Sequence, residues 1–130
     1  MERPYKILWV DDEIELLKSQ ILLLQNKGFA VVPAASGEEA LIRVRENDFD
    51  LVLLDEMMPG MDGLATLAAL RHLRPELPAI MATKNEKEEL VEQALGQKID
   101  DFLLKPLNPA QVLASCRRVL ESRHLVEGQA

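Results

Sequence analysis

Five short apolar runs alternate with stretches of helical periodicity along this chain, and this alternation limits the fold more than any other feature of the sequence. The third run, Leu51-Val52-Leu53-Leu54, is apolar without interruption, which is typical of a strand buried on both faces of a sheet. Parallel strands need long crossover connections, and helices provide them on both faces. The sequence therefore predicts an α/β fold built from five successive strand and helix units.

The predicted elements have recognisable ends. The predicted strands are residues 5–10, 29–34, 51–54, 78–82 and 101–104. Capping boxes at Ser36-Gly37-Glu38-Glu39 and Asn85-Glu86-Lys87-Glu88 begin the second and fourth helices, and Asn108-Pro109 begins the last. The first helix, residues 14–26, ends before Gly28, the third spans about 64–73, and the fourth ends near Gly96. Together these elements predict a flavodoxin-like (βα)5 doubly wound sandwich, with a five-stranded parallel sheet in the order 2-1-3-4-5.

Composition narrows the class of protein. The 130 residues are 48% hydrophobic and 28% charged, with a net charge of −7, which argues against nucleic acid or an anionic membrane as the direct partner. One cysteine, Cys116, excludes an internal disulfide and is expected to be a small buried hydrophobe. No apolar run approaches the roughly 20 residues of a membrane span, so we expect a cytoplasmic protein.

Residues 1–124 are predicted to form one domain, and residues 125–130 a disordered tail or the start of a linker.

The third strand runs directly into Asp55. Pro59 fixes one φ angle in the loop that follows, and Gly60 and Gly63 permit positive φ there. An aspartate that ends a strand is, by itself, more often a cap or a solvated loop residue than a reactive group. A functional interpretation of Asp55 therefore needs other residues at the same edge of the sheet.

Polar residues follow four of the five predicted strands. Asp11 and Asp12 follow the first strand, Asp55 the third, Thr83 the fourth and Lys105 the fifth. Because parallel strands point the same way, the residues at their carboxyl ends share one edge of the sheet, where ligands bind in folds of this kind. Taken singly, each of these residues is more often a cap or a solvated turn; together they predict a site.

This set of residues has a specific chemistry. Three carboxylates in one pocket raise one another's pKa unless a cation joins them, and oxygen ligands favour a hard ion such as Mg²⁺. Asp55 could then accept a phosphoryl group, with Lys105 and Thr83 stabilising the phosphoryl oxygens. None of these groups is placed to act as a strong general base, which favours an activated donor such as a phosphohistidine.

With these residues in place, the chain resembles the receiver domain of a two-component response regulator over about residues 4–124. The resemblance rests on the acidic pair, on Asp55 with Met58-Pro59, on Thr83 and on Lys105-Pro106. It implies that Asp55 is phosphorylated by a sensor histidine kinase or a phosphotransfer protein. It implies further that Asp12, Asp55 and the carbonyl of Met57 bind Mg²⁺, that Asp11 acts through water, that Thr83 and Lys105 hold the phosphoryl group, and that Phe102 is an aromatic switch residue.

The resemblance also implies a signalling output. The switch would alter the face made by the fourth helix, the fifth strand and the fifth helix, and so control an output domain or formation of a homodimer. The segments Ile7–Glu13, Thr83-Lys84 and 105–109 look most like the receivers of PorX-type regulators, in which a PglZ domain follows. In that case an output domain at the carboxyl end is missing from this chain.

Five residues depart from the family pattern or flank the site. Lys84 replaces a usual small residue and could clamp the phosphoryl group or crowd its donor. Lys98-Ile99 replaces a common Gly-Ala pair, which puts the usual loop shape in doubt. Met57 and Asn85 flank the site where the family controls attack by water, and we expect an apolar Met57 to slow loss of the phosphoryl group.

Two other classes of function compete with the signalling interpretation. A phosphatase of the haloacid-dehalogenase type also uses a strand-end aspartate and Mg²⁺, but its second aspartate is replaced here by Met57, and the chain is too short for a cap. A degenerate receiver would keep the fold and lose the site. Since all the expected site residues are present, we prefer an active phosphoacceptor.

Overall fold

The computed structural model describes residues 3–84, 92, 93 and 96–129, and within them it has the predicted architecture. The strands β1 to β5 are Lys6–Val10, Ala30–Ala34, Leu51–Asp55, Ala79–Thr83 and Asp101–Leu104. They form one parallel sheet in the order β2-β1-β3-β4-β5. The helices α1 to α4 are Lys18–Asn26, Gly37–Glu46, Gly63–Leu73 and Pro109–Gln129, and a 3₁₀ turn at Ile14–Leu17 precedes α1. The predicted fold class and strand order are confirmed.

The sheet separates two apolar layers. On one side, alternate residues of the central strands, including Leu8, Leu54 and Met81, pack with Val44 of α2 and Leu67 of α3. The other layer contains the intervening strand residues with the buried residues of α1 and α4, namely Ile7, Trp9, Leu51, Leu53, Ile80, Leu24, Val112, Cys116, Val119 and Leu120. Every residue of β3 and β4 is buried, as expected for strands covered on both faces. The prediction that Cys116 is a buried hydrophobe is confirmed.

The helix starts follow from their capping residues. The Ser36 hydroxyl accepts a hydrogen bond from the Glu39 amide at 3.1 Å, and the Asp62 carboxylate accepts one from the Ala65 amide at 2.8 Å. The Glu39 carboxylate accepts from the amide of Ala35, one residue before the cap, at 2.9 Å. These bonds satisfy amides that the first turn of a helix leaves without partners.

Several boundaries differ from the prediction. Strands β1, β2 and β4 each begin one residue later than predicted. Tyr5 and Phe29 lie just outside β1 and β2 and stack on each other, with ring centroids 6.4 Å apart. The last helix, α4, continues to Gln129, beyond residue 124, where the predicted domain ends and a tail or linker is predicted to begin. Leu125-Val126-Glu127 contains no residue that breaks a helix, so the backbone continues beyond the last apolar repeat. The predicted fourth helix, its capping box and Asn85 lie outside the described residues, except for residues 92, 93 and 96, which are helical.

The loop before β5 takes an unusual backbone conformation. Lys98 has a φ of +58°, in the left-handed region that usually favours glycine. The following residue, Ile99, is buried in the core. The Lys98-Ile99 pair therefore preserves a turn that suits glycine, at the expense of a strained lysine backbone.

Candidate functional site

Neighbouring strands bring three carboxylates together at the carboxyl edge of the sheet. Val10 pairs with Leu54 in the parallel ladder of β1 and β3, so Asp11 and Asp55 leave the sheet side by side. Asp11 and Asp55 are buried, whereas Asp12 is exposed. One carboxylate oxygen from each of the three residues lies within 4.8 Å of the other two. The predicted convergence of these acids is present in the structure.

Lys105 lies between two of these acids. Its Nζ is 3.1 Å from Oδ2 of Asp11 and 2.9 Å from Oδ1 of Asp55, and its side chain is 13% exposed. The backbone amide of Lys105 donates a hydrogen bond to the carbonyl of Thr83 at 2.8 Å, which continues the β4–β5 pairing past the end of β5. Lys105 is thus aligned at its backbone by Thr83 and at its ammonium by two carboxylates.

The environment of Asp55 changes its acidity. Burial raises the pKa of Asp55, the hydrogen bond from Lys105 opposes this, and the charge of Asp11 raises it further, to about 6. For Lys105, burial lowers the pKa, but the bond to Asp55 and the charge of Asp11 outweigh burial and leave it raised. At neutral pH the lysine is therefore charged, and Asp55 is ionised at a free-energy cost.

The loop after β3 is packed tightly against Asp55. The amide of Gly63 donates to the carbonyl of Glu56 at 2.9 Å, and a Cβ at Gly63 would lie 2.3 Å from the carbonyl oxygen of Asp55. Gly60 has the positive φ expected of it, +76°. Gly63 is the first residue of α3 and does not use the positive φ that glycine permits; glycine is needed there for the close approach of the backbone to Asp55.

A small cavity opens beside the carboxylates. It has a volume of about 150 Å³, and we call it the acidic cavity; its lining residues are Asp12, Glu13, Asp55, Glu56, Met57, Lys84 and Lys105. Met57 lines the cavity and is 71% exposed, so much of its surface faces solvent. Lys84 brings a second ammonium group to the same wall. The acidic cavity is large enough for a phosphoryl group and a small ion.

The two predicted switch residues lie on neighbouring strands. Thr83 ends β4 and is buried, and its partner across the ladder is Leu104, which directly precedes Lys105. Phe102 is half-buried and packs against the apolar layer shared with α2 and α3. Thr83 is therefore at the edge of the sheet near Lys105, and Phe102 lies farther back along β5.

Sequence reasoning missed residues that support the site indirectly. The Glu13 amide donates to Oδ1 of Asp11 at 2.8 Å and fixes that carboxylate. Glu13 and Glu56 also line the acidic cavity. Their positions directly after site aspartates were a signal that could have identified them. Gln20 of α1 donates to the carbonyl of Leu107 at 2.9 Å, and no sequence signal indicated this contact.

The acidic cavity suits a hard divalent cation. Three carboxylates supply oxygen ligands close to one another, and the partly open side at Asp12 leaves room for water, which Mg²⁺ retains when it binds to proteins. No nitrogen or sulfur ligand accompanies them among the described residues of the cluster. The donor set therefore fits Mg²⁺ better than a soft metal.

Comparison with known proteins identifies the family. Residues 7–117 match the family described as the response regulator receiver domain. The chain is 40% identical over 126 residues to the transcriptional regulatory protein CpxR of Escherichia coli K12. The aligned region covers 95% of this chain and 53% of CpxR. The chain belongs to the family of response regulator receiver domains.

Solved structures agree with this assignment. A CheY-like receiver domain protein of Methanospirillum hungatei JF-1 superimposes with a TM-score of 0.87 at 30% identity, covering 93% of this chain and 97% of that one. A chain of the CheX-CheY-BeF₃-Mg²⁺ complex of Borrelia burgdorferi gives a TM-score of 0.82 at 34% identity, covering 89% of each chain. Like other receivers of two-component systems, the protein functions as a signalling phosphoacceptor with an acidic pocket.

Two further facts concern the length of the chain relative to its relatives and the character of its helices. The chain spans 28% to 53% of the length of the curated relatives that it matches. None of the helices in the described ranges is both long and apolar enough to cross a membrane.

Proposed function

We propose that Asp55 is the residue that receives the phosphoryl group, and that a phosphohistidine of a sensor histidine kinase or phosphotransfer protein donates it. The observation that carries this proposal is the contact of Lys105 with both Asp11 and Asp55 at the wall of the acidic cavity. Asp55 is the buried member of the cluster that ends a strand and also faces the cavity. Its carboxylate is thus accessible from one direction and held by a cation from another.

The transfer needs no general base, because the Asp55 carboxylate attacks as an anion. One of its oxygens forms a bond to phosphorus while the bond between phosphorus and the donor imidazole nitrogen breaks. The nitrogen keeps the electron pair, and the donor imidazole, which carries a proton on its other ring nitrogen before the transfer, leaves as neutral histidine. Lys105 and the Thr83 hydroxyl would donate hydrogen bonds to the phosphoryl oxygens, where negative charge is concentrated.

Asp12 and Asp55, with the carbonyl of Met57, would hold a Mg²⁺ ion, and Asp11 would contribute through water. The proximity of the three carboxylates supports this assignment, as does the position of Met57 at the cavity wall. When bound, Mg²⁺ would neutralise carboxylate charge and stabilise the negative charge of the phosphoryl oxygens. The protein would in this way promote its own phosphorylation and lose the phosphoryl group slowly by hydrolysis.

Phosphorylation would then change the surface of the protein. Movement of Thr83 toward the phosphoryl group would free space for Phe102 to turn inward, and the face formed by the helix before β5, β5 and α4 would respond. That face would bind a second receiver or an output domain. We place the domain boundary near residue 124 in a longer cytoplasmic protein, with a PorX-type arrangement and a PglZ output domain as the finer assignment.

The test uses acetyl phosphate with Mg²⁺, and detects the adduct by intact-protein mass and a phosphate-affinity gel. We expect one phosphoryl group on the wild type, none on Asp55→Asn, and an unchanged yield on the control Asp48→Asn, since the Asp48 side chain is 92% exposed. Addition of EDTA should prevent the reaction. Continuous release of phosphate at a rate typical of enzymes would indicate a phosphatase, and the absence of any adduct would indicate a degenerate receiver. A phosphoryl half-life of seconds would contradict the expected slowing of hydrolysis by Met57.

A further inference from the structure

Gln20 joins α1 to the loop that carries Lys105. Its Nε2 donates to the carbonyl of Leu107 at 2.9 Å, although the two residues are 87 positions apart in the sequence. Gln20 is half-buried, and both residues line a groove of about 380 Å³ that also contains Lys84 and Lys105. The groove therefore shares both lysines with the acidic cavity, and Gln20 lies at its far side.

The loop formed by Lys105, Pro106 and Leu107 is held at three points. The Lys105 amide is bound to the Thr83 carbonyl, and the Leu107 side chain is buried in the layer formed with α1 and α4. The Gln20 side chain supplies the third point, through its hydrogen bond to the Leu107 carbonyl. Without it, the Leu107 carbonyl would face the groove and the loop could shift away from α1.

We propose that Gln20 is a positioning residue for phosphoryl transfer, and that it holds this loop so that the Lys105 ammonium stays between Asp11 and Asp55. The inference rests on the proposed function, because it assigns to Gln20 an effect exerted through Lys105. A small displacement of a group that stabilises a transferring phosphoryl group has a large effect on rate. Since one neutral hydrogen bond at the loop is lost, a decrease of about 3-fold to 10-fold in the rate of phosphorylation is expected.

Gln20→Met tests the inference, because methionine has a similar length and no hydrogen-bond donor. The control is Gln25→Met, which makes the same change at an exposed position of α1. The rate of phosphorylation by acetyl phosphate in saturating Mg²⁺ should fall about 3-fold to 10-fold in Gln20→Met and stay at the wild-type value in Gln25→Met. Gln25→Met should keep the wild-type Mg²⁺ affinity, and saturating Mg²⁺ removes from the comparison of rates any change in affinity that a displaced Lys105 causes in Gln20→Met.

A double-mutant cycle with Lys105→Met separates positioning from general damage to the structure. If Gln20 acts through Lys105, adding Gln20→Met to Lys105→Met should leave the remaining rate unchanged. Two results would overturn this inference and leave the proposed function intact. One is a wild-type rate of phosphorylation in Gln20→Met, and the other is an equal decrease in rate when Gln20→Met is added to the wild type and to Lys105→Met. Failure of the wild type to accept any phosphoryl group would overturn the proposed function together with it.

Discussion

Replacement of Asp55 by asparagine is expected to stabilise the metal-free protein. The pKa of Asp55 rises from an ordinary 3.8 to about 6, chiefly through burial and with a contribution from Asp11. At 1.36 kcal/mol for each pH unit, keeping Asp55 ionised at neutral pH costs up to about 3 kcal/mol of folding free energy. This pKa already includes the stabilising effect of Lys105 on the ionised carboxylate, so we expect a net gain of about 1 to 3 kcal/mol in the asparagine variant.

The contribution of Asp55 to the free energy of unfolding depends on pH, and the direction of this dependence follows from its raised pKa. The unfolded chain releases the Asp55 proton near its ordinary pKa, whereas the folded protein retains it until about pH 6. The contribution of this group to stability is therefore fully present below about pH 4 and is lost as the pH rises toward and through about 6. The difference in unfolding free energy between the wild type and Asp55→Asn should change over this window and be constant above it.

Urea or thermal unfolding in EDTA measures both effects. A gain of 1 to 3 kcal/mol corresponds to an increase of about 4 to 12 °C in Tm for a domain of this size. Asp48→Asn, at an exposed position, should change Tm by less than about 2 °C. Mg²⁺ should raise the Tm of the wild type more than that of Asp55→Asn, since the variant lacks one proposed ligand. A lower Tm for Asp55→Asn in EDTA, or equal Mg²⁺ effects in both proteins, would refute the reasoning.

Four other predictions follow from particular contacts. Lys105→Met should lower the unfolding free energy by about 3 kcal/mol in urea, because it leaves buried carboxylates without their cation; an unchanged urea midpoint would contradict this. Gly63→Ala should cost about 2 kcal/mol or more in the same assay, since its Cβ would overlap the Asp55 carbonyl, and a neutral result would mean that α3 can move away. Lys98→Gly should raise the unfolding free energy by about 1 kcal/mol by relieving the left-handed backbone, and a loss of stability would show that the lysine side chain outweighs this strain. Lys84→Ala should raise the KM for acetyl phosphate about 3-fold at low salt and less at high salt; a lower KM would show that Lys84 crowds the donor instead of attracting it.

The sheet and the site acids could be predicted because both depend on local patterns. Uninterrupted apolar runs define the buried strands, and a change to polar residues marks where each strand ends. The parallel arrangement then places Asp11, Asp55, Thr83 and Lys105 at one edge without further information. The pairing of Lys105 with Asp11 and Asp55 follows from their opposite charge once they are neighbours.

Other features depend on distances that no local pattern encodes. The bond from Gln20 to Leu107 requires the relative positions of α1 and the loop after β5, and these are fixed by side chains throughout one apolar layer. The role of Gly63 depends on how closely α3 approaches the end of β3. The backbone of Lys98 is held in the left-handed region by tertiary contacts, including a hydrogen bond of 3.0 Å from Arg71 to the Lys98 carbonyl. Each is a consequence of packing between elements rather than of the sequence within one element.

The same forces that strain Asp55 suit it to accept a phosphoryl group. A carboxylate with a raised pKa is a stronger nucleophile, but it must remain ionised at the pH of the reaction. In the metal-free protein a pKa of about 6 leaves Asp55 mostly ionised at neutral pH, and the charged Lys105 keeps the anion in place without taking part as a base. Phosphorylation of Asp55 would convert its carboxylate into a neutral acyl group and transfer the negative charge to the phosphoryl oxygens. The buried carboxylate charge that destabilises the metal-free protein would thereby be lost, so the free-energy cost of ionised Asp55 would favour the proposed transfer.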